Sequence, residues 1–553
     1  MTTSRTSPAA ALAEIAPDYD VVVMGSGAAG LTAACRAADA GLSVLVLEKA
    51  RQLGGTTAAG GGVIWVPNNR LAAEAGFSDS HEAGVAYLRA AAGHVMDGQS
   101  IDWYVRTAPE AVDYLDRCTR VSLTPLARPD YHMEWVGAAN GGRGLDNQAF
   151  SAPDHPGLAD LVRPSSYFPL LTMAERDELN GRAPDPDLLS ARAATGVRTM
   201  GGALAGSLAA SALDKGVTIA VAAPVTDLFR REDGGWTVEV DGGAASVRAA
   251  AVVIASGGFE WNERLRRAFL PLTVVPIGAP SNEGDGMELG LAAGASVADM
   301  TAVWGVPVLT PPRQSYDGKP SGRMGNVEMT LPGSITVNAS GRRFVNEALN
   351  YHDASRVLAN IDPHSLRQEN NPAWLVFDSD YLDKYPLAGS TPGQPEDWMT
   401  RAETIGELAR AIGVDAAALQ QTVDRFNADA EQGVDTEFGR GATPQDRFLG
   451  DESNHPNPCL APLRRGPYFA VPLRAGVLGT SGGLATDLHG RVLGRAGLPI
   501  EGLYAAGNVS AGVFRNNYPG GGATLGSAVV RAYAVGAHLA AAAPSCTAVN
   551  ASV

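Results

Sequence analysis

The stretch Tyr19-Asp20-Val21-Val22-Val23-Met24-Gly25-Ser26-Gly27-Ala28-Ala29-Gly30 (YDVVVMGSGAAG) decides the fold. Its first half is a β-branched apolar run, the mark of a strand buried on both faces. The run feeds straight into a GxGxxG, then into small residues from Leu31 to Ala40 that read as a helix ended by Gly41. Ser43 to Leu47 (SVLVL) supplies a second strand, with Glu48 at its carboxyl end. Gly25 allows the tight turn, Gly27 lets backbone approach a pyrophosphate, and Gly30 lets helix pack closely on strand. The helix N-terminus at Ala28 and Ala29 faces the phosphate charge, and Glu48 can accept hydrogen bonds from a ribose hydroxyl pair. A lone GxGxxG carries little weight. Here strand, glycines, helix, second strand and acid fall in order within about 30 residues. The reading is a Rossmann-type nucleotide domain in an α/β chain.

The continuation separates FAD from NAD. Gly54-Gly55-Thr56-Thr57 follows Glu48, with Gly60-Gly61-Gly62 just beyond, so backbone and hydroxyls can reach the FAD phosphates and flavin. Ala251 to Ala255 (AVVIA) halts at Ser256-Gly257-Gly258-Phe259, and Leu503 to Ala506 halts at Gly507-Asn508. Three strand-then-glycine stops, spread along the chain, predict one nucleotide domain interrupted by an insertion. Gly201 to Gly206 (GGALAG) has no strand before it and reads as helix packing. A dedicated NAD(P)H site is therefore not expected, and electrons must pass to some other partner.

Whole-chain properties narrow the function further. The 553 residues, 45% hydrophobic and 18% charged, suffice for two or more domains. A formal net charge of −16 repels phosphate backbones and anionic headgroups, which argues against nucleic-acid and membrane-surface partners. Cys35, Cys118, Cys459 and Cys546 lie far apart without a CxxC pair. That spacing gives neither a metal site nor a disulfide framework, and predicts a cytoplasmic location. The first seventeen residues lack a basic region followed by an apolar one, so no signal peptide is expected. No run of about 18 consecutive apolar residues occurs, so no membrane span is expected.

Five further motifs carry a resemblance. They are Gly54-Gly55-Thr56-Thr57 through Ile64-Trp65-Val66-Pro67, Pro129-Asp130-Tyr131, and Gly341-Arg342-Arg343-Phe344-Val345-Asn346-Glu347 followed by Tyr351. The others are Gly479-Thr480-Ser481-Gly482-Gly483-Leu484 with Asp487, and Tyr518-Pro519-Gly520-Gly521-Gly522-Ala523-Thr524-Leu525-Gly526. Together they resemble the fumarate reductase/3-ketosteroid dehydrogenase group of flavoproteins, and within it the 3-ketosteroid Δ1-dehydrogenases. The likeness runs from about Asp18 to Ala540.

The resemblance implies non-covalently bound FAD. The expected cofactor contacts are the residues of the first motif, then Lys49, Gly61, Gly62, Val225, Gly257, Gly258, Asp285, Gly507, Asn508, Ala523 and Leu525. It also implies a catalytic set. The Tyr518 hydroxyl and the Gly522 N–H would donate to the ketone oxygen. Tyr351 would be the base, its phenol acidified by a hydrogen bond from Tyr131. The β-hydrogen would leave as hydride to flavin N5, and a helix from about Leu525 to Ala541 would steady the anionic reduced form. An unperturbed phenol has a pKa of about 10, so Tyr351 needs such tuning at neutral pH.

The leading expectation is Δ1-dehydrogenation of a 3-ketosteroid, with an external electron acceptor, quinone-like or a dye. His132, Ser481 and the polar run Arg515-Asn516-Asn517 depart from the family pattern and keep open a smaller ring, such as cyclohexanone or 4-oxocyclohexanecarboxylate. Arg515 either pairs with an acidic group on such a ketone or is a solvated loop charge. A fumarate- or urocanate-type reductase would clamp a carboxylate with His and Arg, where this chain has Gly479 and Tyr518. A flavin-binding electron carrier without catalysis is the remaining alternative. The expected architecture is a Rossmann-type FAD-binding domain from 18–297 and 477–541, interrupted by an α+β substrate and catalytic domain, 298–476. Residues 1–17 and 542–553 are expected as flexible tails.

Overall fold

A computed structural model describes residues 7–179 and 184–542. The first motif folds as read. The strand Asp18–Met24 turns at Gly25 into the helix Ala28–Ala38, and the strand Val44–Leu47 returns beside the first. Gly25 has φ 103°, and a Cβ on Gly30 would collide with the Gly25 carbonyl oxygen, so both positions demand glycine.

The first sheet runs in the order Arg491–Leu493, Pro499–Ala505, Ala245–Ile254, Asp18–Met24, Val44–Leu47, Thr218–Ala220. The central neighbours are parallel, with Val22 opposite both Leu45 and Val252, and Val253 opposite Tyr504. The three strands that end in glycines thus lie side by side, and their carboxyl ends open on one crevice. An antiparallel pair, Val225–Arg230 and Trp236–Val240, extends from Ala245–Ile254.

The helix Met200–Asp214 contains the GGALAG stretch and is buried almost throughout, as expected of a packing helix. The C-terminal helix Ala523–Ala542 packs on Ala28–Ala38, where small residues let the backbones approach: a Cβ on Gly536 would meet the Arg36 side chain. It is long and apolar enough to cross a bilayer by length and composition, but Val529, Val530 and Val535 are fully buried in the core.

A second sheet is built on the strand Tyr468–Thr480, flanked by Val303–Leu309 on one side and Ala373–Phe377 and Ser334–Val337 on the other. Ala302 to Pro312, legible in sequence only as an apolar Pro-rich stretch, supplies the strand Val303–Leu309. The expected junction at 476/477 falls inside Tyr468–Thr480, and Val275–Pro276 pairs with that strand although it belongs to the expected first domain. The continuous apolar strand therefore spans the seam. The helices Ile405–Ile412 and Ala416–Gln432 cover one face of this sheet, with Leu408, Leu419, Val423 and Phe426 inward.

Residues 7–17, expected as part of a tail, are tied to the first sheet. Ala10 N–H donates to Ile219 O (2.9 Å), and Arg248 N–H donates to Pro17 O (2.8 Å). Residues 1–6 and 543–553, which include Cys546, lie outside the described residues.

Candidate active site

A cavity of about 1070 Å³ runs along the crevice and under the second sheet. At the first end it is lined by Gly25, Gly27, Ala28, Ala29, Glu48 and Lys49. Glu48 is buried at the end of its strand. Its Oε2 accepts from Ser26 N (3.0 Å) and Ser26 Oγ (2.6 Å), and its Oε1 accepts from Ala50 N (2.8 Å). Ser26 also accepts from Gly54 N (3.0 Å), so the first motif and the GGTT stretch form one hydrogen-bonded cradle. Thr57 Oγ1 accepts from Ala28 N (3.0 Å), and Thr56 Oγ1 accepts from Ala279 N and Asn282 Nδ2, both at 2.9 Å. Lys49 pairs with Glu283 (2.8 Å) and Asp285 (2.6 Å) at the rim.

Gly55, Thr56, Thr57, Gly61, Gly62, Val225, Gly257, Asp285, Gly507, Asn508 and Leu525 also line the cavity. Gly30, Gly54, Gly258 and Ala523, also expected as contacts, do not line it. Two observations show that the cradle fits a dinucleotide. No Cβ obstructs the approach at Gly27, and the buried Ser256 Oγ, on the wall at the end of the central strand, has no hydrogen-bond partner. The sequence reading passed over Ser26, Ser256 and Asn282. Ser26 and Ser256 sat inside quoted motifs. Asn282 comes from irregular backbone with no signal of its own.

Tyr131, Tyr351, Tyr518 and Gly522 line the other part of the same cavity. They come from four distant segments. Tyr131 leaves a loop pinned by Asp130, whose buried carboxylate accepts from Trp65 Nε1 (2.8 Å), Ala139 N (3.0 Å) and Arg143 (2.7 Å). Tyr351 begins the helix Tyr351–Val357, capped by Asn350, whose Oδ1 accepts from Asp353 N (3.0 Å). The GRRFVNE motif braces this region from below. Arg343 is fully buried between Glu347 (2.6 Å) and Asp435 (2.9 Å). Gly522 has φ 102°, and a Cβ there would press on Val63 O at 2.7 Å.

The three phenol rings pack on one another. Tyr131 and Tyr518 stack at 5.8 Å, while Tyr351 meets both edge-on, at 5.5 and 5.3 Å. Trp304 closes the far side of Tyr518 edge-on at 5.4 Å, its indole N–H held by Asn508 Oδ1 at 3.0 Å. The Tyr351 hydroxyl donates to the Tyr518 oxygen (2.9 Å), which also accepts from Thr524 Oγ1 (3.1 Å). Burial pushes the Tyr518 phenol up. Thr524, Tyr351 and the backbone N–H groups of Thr524 and Gly522 oppose that, so the Gly522 N–H lies beside the Tyr518 oxygen.

The expected acidification of Tyr351 is not present in this state. Burial, with Tyr131 and Tyr518 beside it, pushes its phenol well above the ordinary range, and Tyr131 is raised likewise. For Tyr131 the charge of Arg128 opposes burial but does not overcome it, so the crowded phenols cannot share a negative charge cheaply. Arg515 lies off the cavity and pairs with Asp299 (2.6 Å), so its charge is neutralised within the protein. His132 donates toward Asp353 (2.9 Å) and stacks on Trp135, bracing the Tyr131 loop against the Tyr351 helix.

Residues 20–525 match the FAD binding domain family. The chain is 39% identical to 4-oxocyclohexanecarboxylate 2-dehydrogenase of Sinomonas cyclohexanicum, covering 94% of this chain and 93% of that protein. It is 37% identical to 3-oxosteroid 1-dehydrogenase of Mycobacterium tuberculosis, over 95% and 98% of the two chains. The crystal structure of 3-ketosteroid delta1-dehydrogenase from Sterolibacterium denitrificans, in complex with 1,4-androstadiene-3,17-dione, superposes with a TM-score of 0.87 at 34% identity. That match covers 95% of this chain and 100% of the other. Motif, cradle and kinship agree that the chain belongs to the FAD-binding flavoprotein dehydrogenase family that includes the 3-oxosteroid 1-dehydrogenases, and is an FAD-dependent oxidoreductase.

Proposed function

We propose that this protein desaturates a cyclic ketone, removing one hydrogen from the α-carbon and one from the β-carbon of a six-membered ring. The observation that carries the reading is the Tyr518 hydroxyl with the Gly522 N–H beside it, next to the Tyr351 hydroxyl, in the cavity that also holds the dinucleotide cradle. A ketone oxygen seated at that point accepts from both donors, which stabilises the charge that develops there as the α-proton leaves. The Tyr518 hydrogen then turns to the ketone, and its oxygen gives up its bond from Tyr351. Tyr351, at the edge of both other rings, takes the α-proton as its phenolate, its own hydroxyl proton having first been released to solvent, and Tyr131 orients it. When bound, FAD supplies the acceptor for the hydride that leaves the β-carbon.

FAD is held without a covalent link. Among the described residues the cavity wall contains no histidine or cysteine to form one. Those expected contacts that line the cavity hold it, with Ser256 and Asn282 added. Electrons leave to an external acceptor, in keeping with a chain that has a single nucleotide motif. The ring is the first ring of a 3-ketosteroid or a single oxocyclohexane ring, and a cavity reaching past the tyrosines to Tyr385 and Asp451 supports room for either. The protein works in the cytoplasm, a reading supported by the free thiols of Cys35, Cys118 and Cys459.

The test is anaerobic. The yellow protein is mixed with androst-4-ene-3,17-dione, 4-oxocyclohexanecarboxylate or cyclohexanone, and the oxidised flavin band is followed. Bleaching with formation of the enone or dienone supports the reading. A band unmoved by every ring ketone overturns it.

A further inference from the structure

Beyond the tyrosines the cavity wall changes character. Met173, on the helix Met173–Leu179, packs with Val63, whose carbonyl backs Gly522. One turn further on, three residues from Met173 and so on the same helix face, Arg176 lines the same cavity.

The neighbouring charges sort unevenly. Arg128 is held through two nitrogens by Asp177, with Nε at 2.7 Å and the second bond at 2.5 Å. Arg323 lies over the Tyr167 ring at 4.8 Å and donates to Ala388 O at 2.9 Å. Arg176 has no such partner. Among the described residues no carboxylate lies within ion-pair distance of it, and its close neighbour is the face of Phe168 at 5.6 Å. The carboxylate that faces both Arg176 and Arg323 is Glu328, which accepts from Ala388 N at 3.2 Å and is itself pushed up by burial. Glu178, also at the cavity, is exposed.

A guanidinium half-buried in a cavity wall without a close anion is costly to keep. Burial and the nearby Arg128 pull Arg176 below its ordinary range, against the weaker pull of Tyr167, Glu328 and Asp177. Its planar fork matches a carboxylate through two parallel hydrogen bonds. The wall around it, Phe168 and Tyr167, is aromatic and suited to a hydrocarbon ring.

We propose that Arg176 binds a carboxylate carried by the substrate at the end remote from its ketone, so that the preferred substrates are cyclic keto acids. This rests on the reading that the ketone sits between Tyr518 and Gly522. The single-ring and steroid sources share this chemistry, and the arms of the test separate them.

The holoenzyme is assayed with 4-oxocyclohexanecarboxylate, its methyl ester, 3-oxoandrost-4-ene-17β-carboxylate and the methyl ester of that acid. Within at least one pair the acid should exceed its ester in kcat/KM by about 10–100-fold, the span of a hydrogen bond to a charged group. The pair that shows the difference identifies the ring system. Arg176→Gln should abolish that preference, mainly through the KM of the acid. Arg176→Lys should restore part of it, which a merely structural role would not do. Equal rates for acid and ester in both pairs of the unmodified enzyme overturn the proposal, and so does an acid preference that survives in Arg176→Gln. If neither acids nor esters bleach the flavin, the ketone reading itself fails and takes this one with it.

Discussion

The Tyr351 hydroxyl donates to the Tyr518 hydroxyl oxygen across 2.9 Å, joining a helix of the insert to the loop before the C-terminal helix. In the proposed reaction that bond is the resting state of two groups that part when a ketone enters. Tyr518→Phe removes one of the two donors to the ketone oxygen. Such a loss typically costs about 2.7–4 kcal/mol, or about 100–1000-fold in kcat. Stopped-flow measurement of flavin reduction by a reactive ketone should find that slowing with the flavin spectrum unchanged. A decrease below tenfold would contradict the assigned role.

The two cradle glycines should fail differently. A Cβ on Gly30 collides with backbone, so Gly30→Ala should lower the unfolding midpoint and give little soluble protein. On Gly27 the nearest atom to a new Cβ is Thr57 Oγ1 at 3.5 Å, which the fold tolerates. Gly27→Ala should therefore stay folded but purify nearly colourless, because the methyl group occupies the approach of the pyrophosphate. The ratio of flavin to protein absorbance, read beside a melting curve, distinguishes the two.

Arg343 should matter to stability and not to chemistry. It is buried with Glu347 and Asp435 and touches neither the cavity nor the tyrosines. Arg343→Met removes the bidentate partner of two buried carboxylates and leaves Glu347 only the longer pair with Arg440 at 3.4 Å, a loss of about 3–5 kcal/mol by the usual cost of breaking such a network. Denaturant unfolding should register it, while turnover per bound flavin holds.

The His132–Asp353 pair predicts a pH dependence of stability. Burial lowers the His132 pKa, but the bond and charge of Asp353, aided by Glu134, raise it above 6.5 overall. Its contribution is therefore fully present below about pH 6.5 and is lost as pH rises through the raised value. For Asp353, burial is outweighed by His132 and Asn350, and the carboxyl falls to about 2. That contribution is present above about pH 3.8 and is lost only as pH falls through about 2. His132→Asn should thus lower the melting temperature at pH 5.5 and converge with the unmodified protein near pH 9. A constant offset across that range would refute the ion pair's role.

The cradle was legible because its parts are consecutive. From Tyr19 to Glu48, each glycine and strand residue has a job set by its immediate neighbours. The Tyr-Pro-Gly-Gly-Gly run was legible for the same reason. The reading went astray where residues answer to distant partners. The 476/477 junction fell within a strand because Tyr468–Thr480 pairs with segments nearly 200 residues upstream. The sequence left Arg515 open between a substrate contact and a solvated loop charge, and neither foretold its pairing with Asp299, 216 positions away in the chain.

By itself the sequence determined the nucleotide fold and the FAD-type continuation, because those follow from local backbone geometry, and through the family resemblance it pointed to three tyrosines as candidates. Only the tertiary structure decided that Tyr351 bonds to Tyr518, that burial pushes all three phenols above their ordinary range, and that Arg176 lines the cavity with no carboxylate at ion-pair distance among the described residues. Charge balance and desolvation depend on what surrounds a group from every side, and folding brings that surrounding together from segments the chain keeps apart.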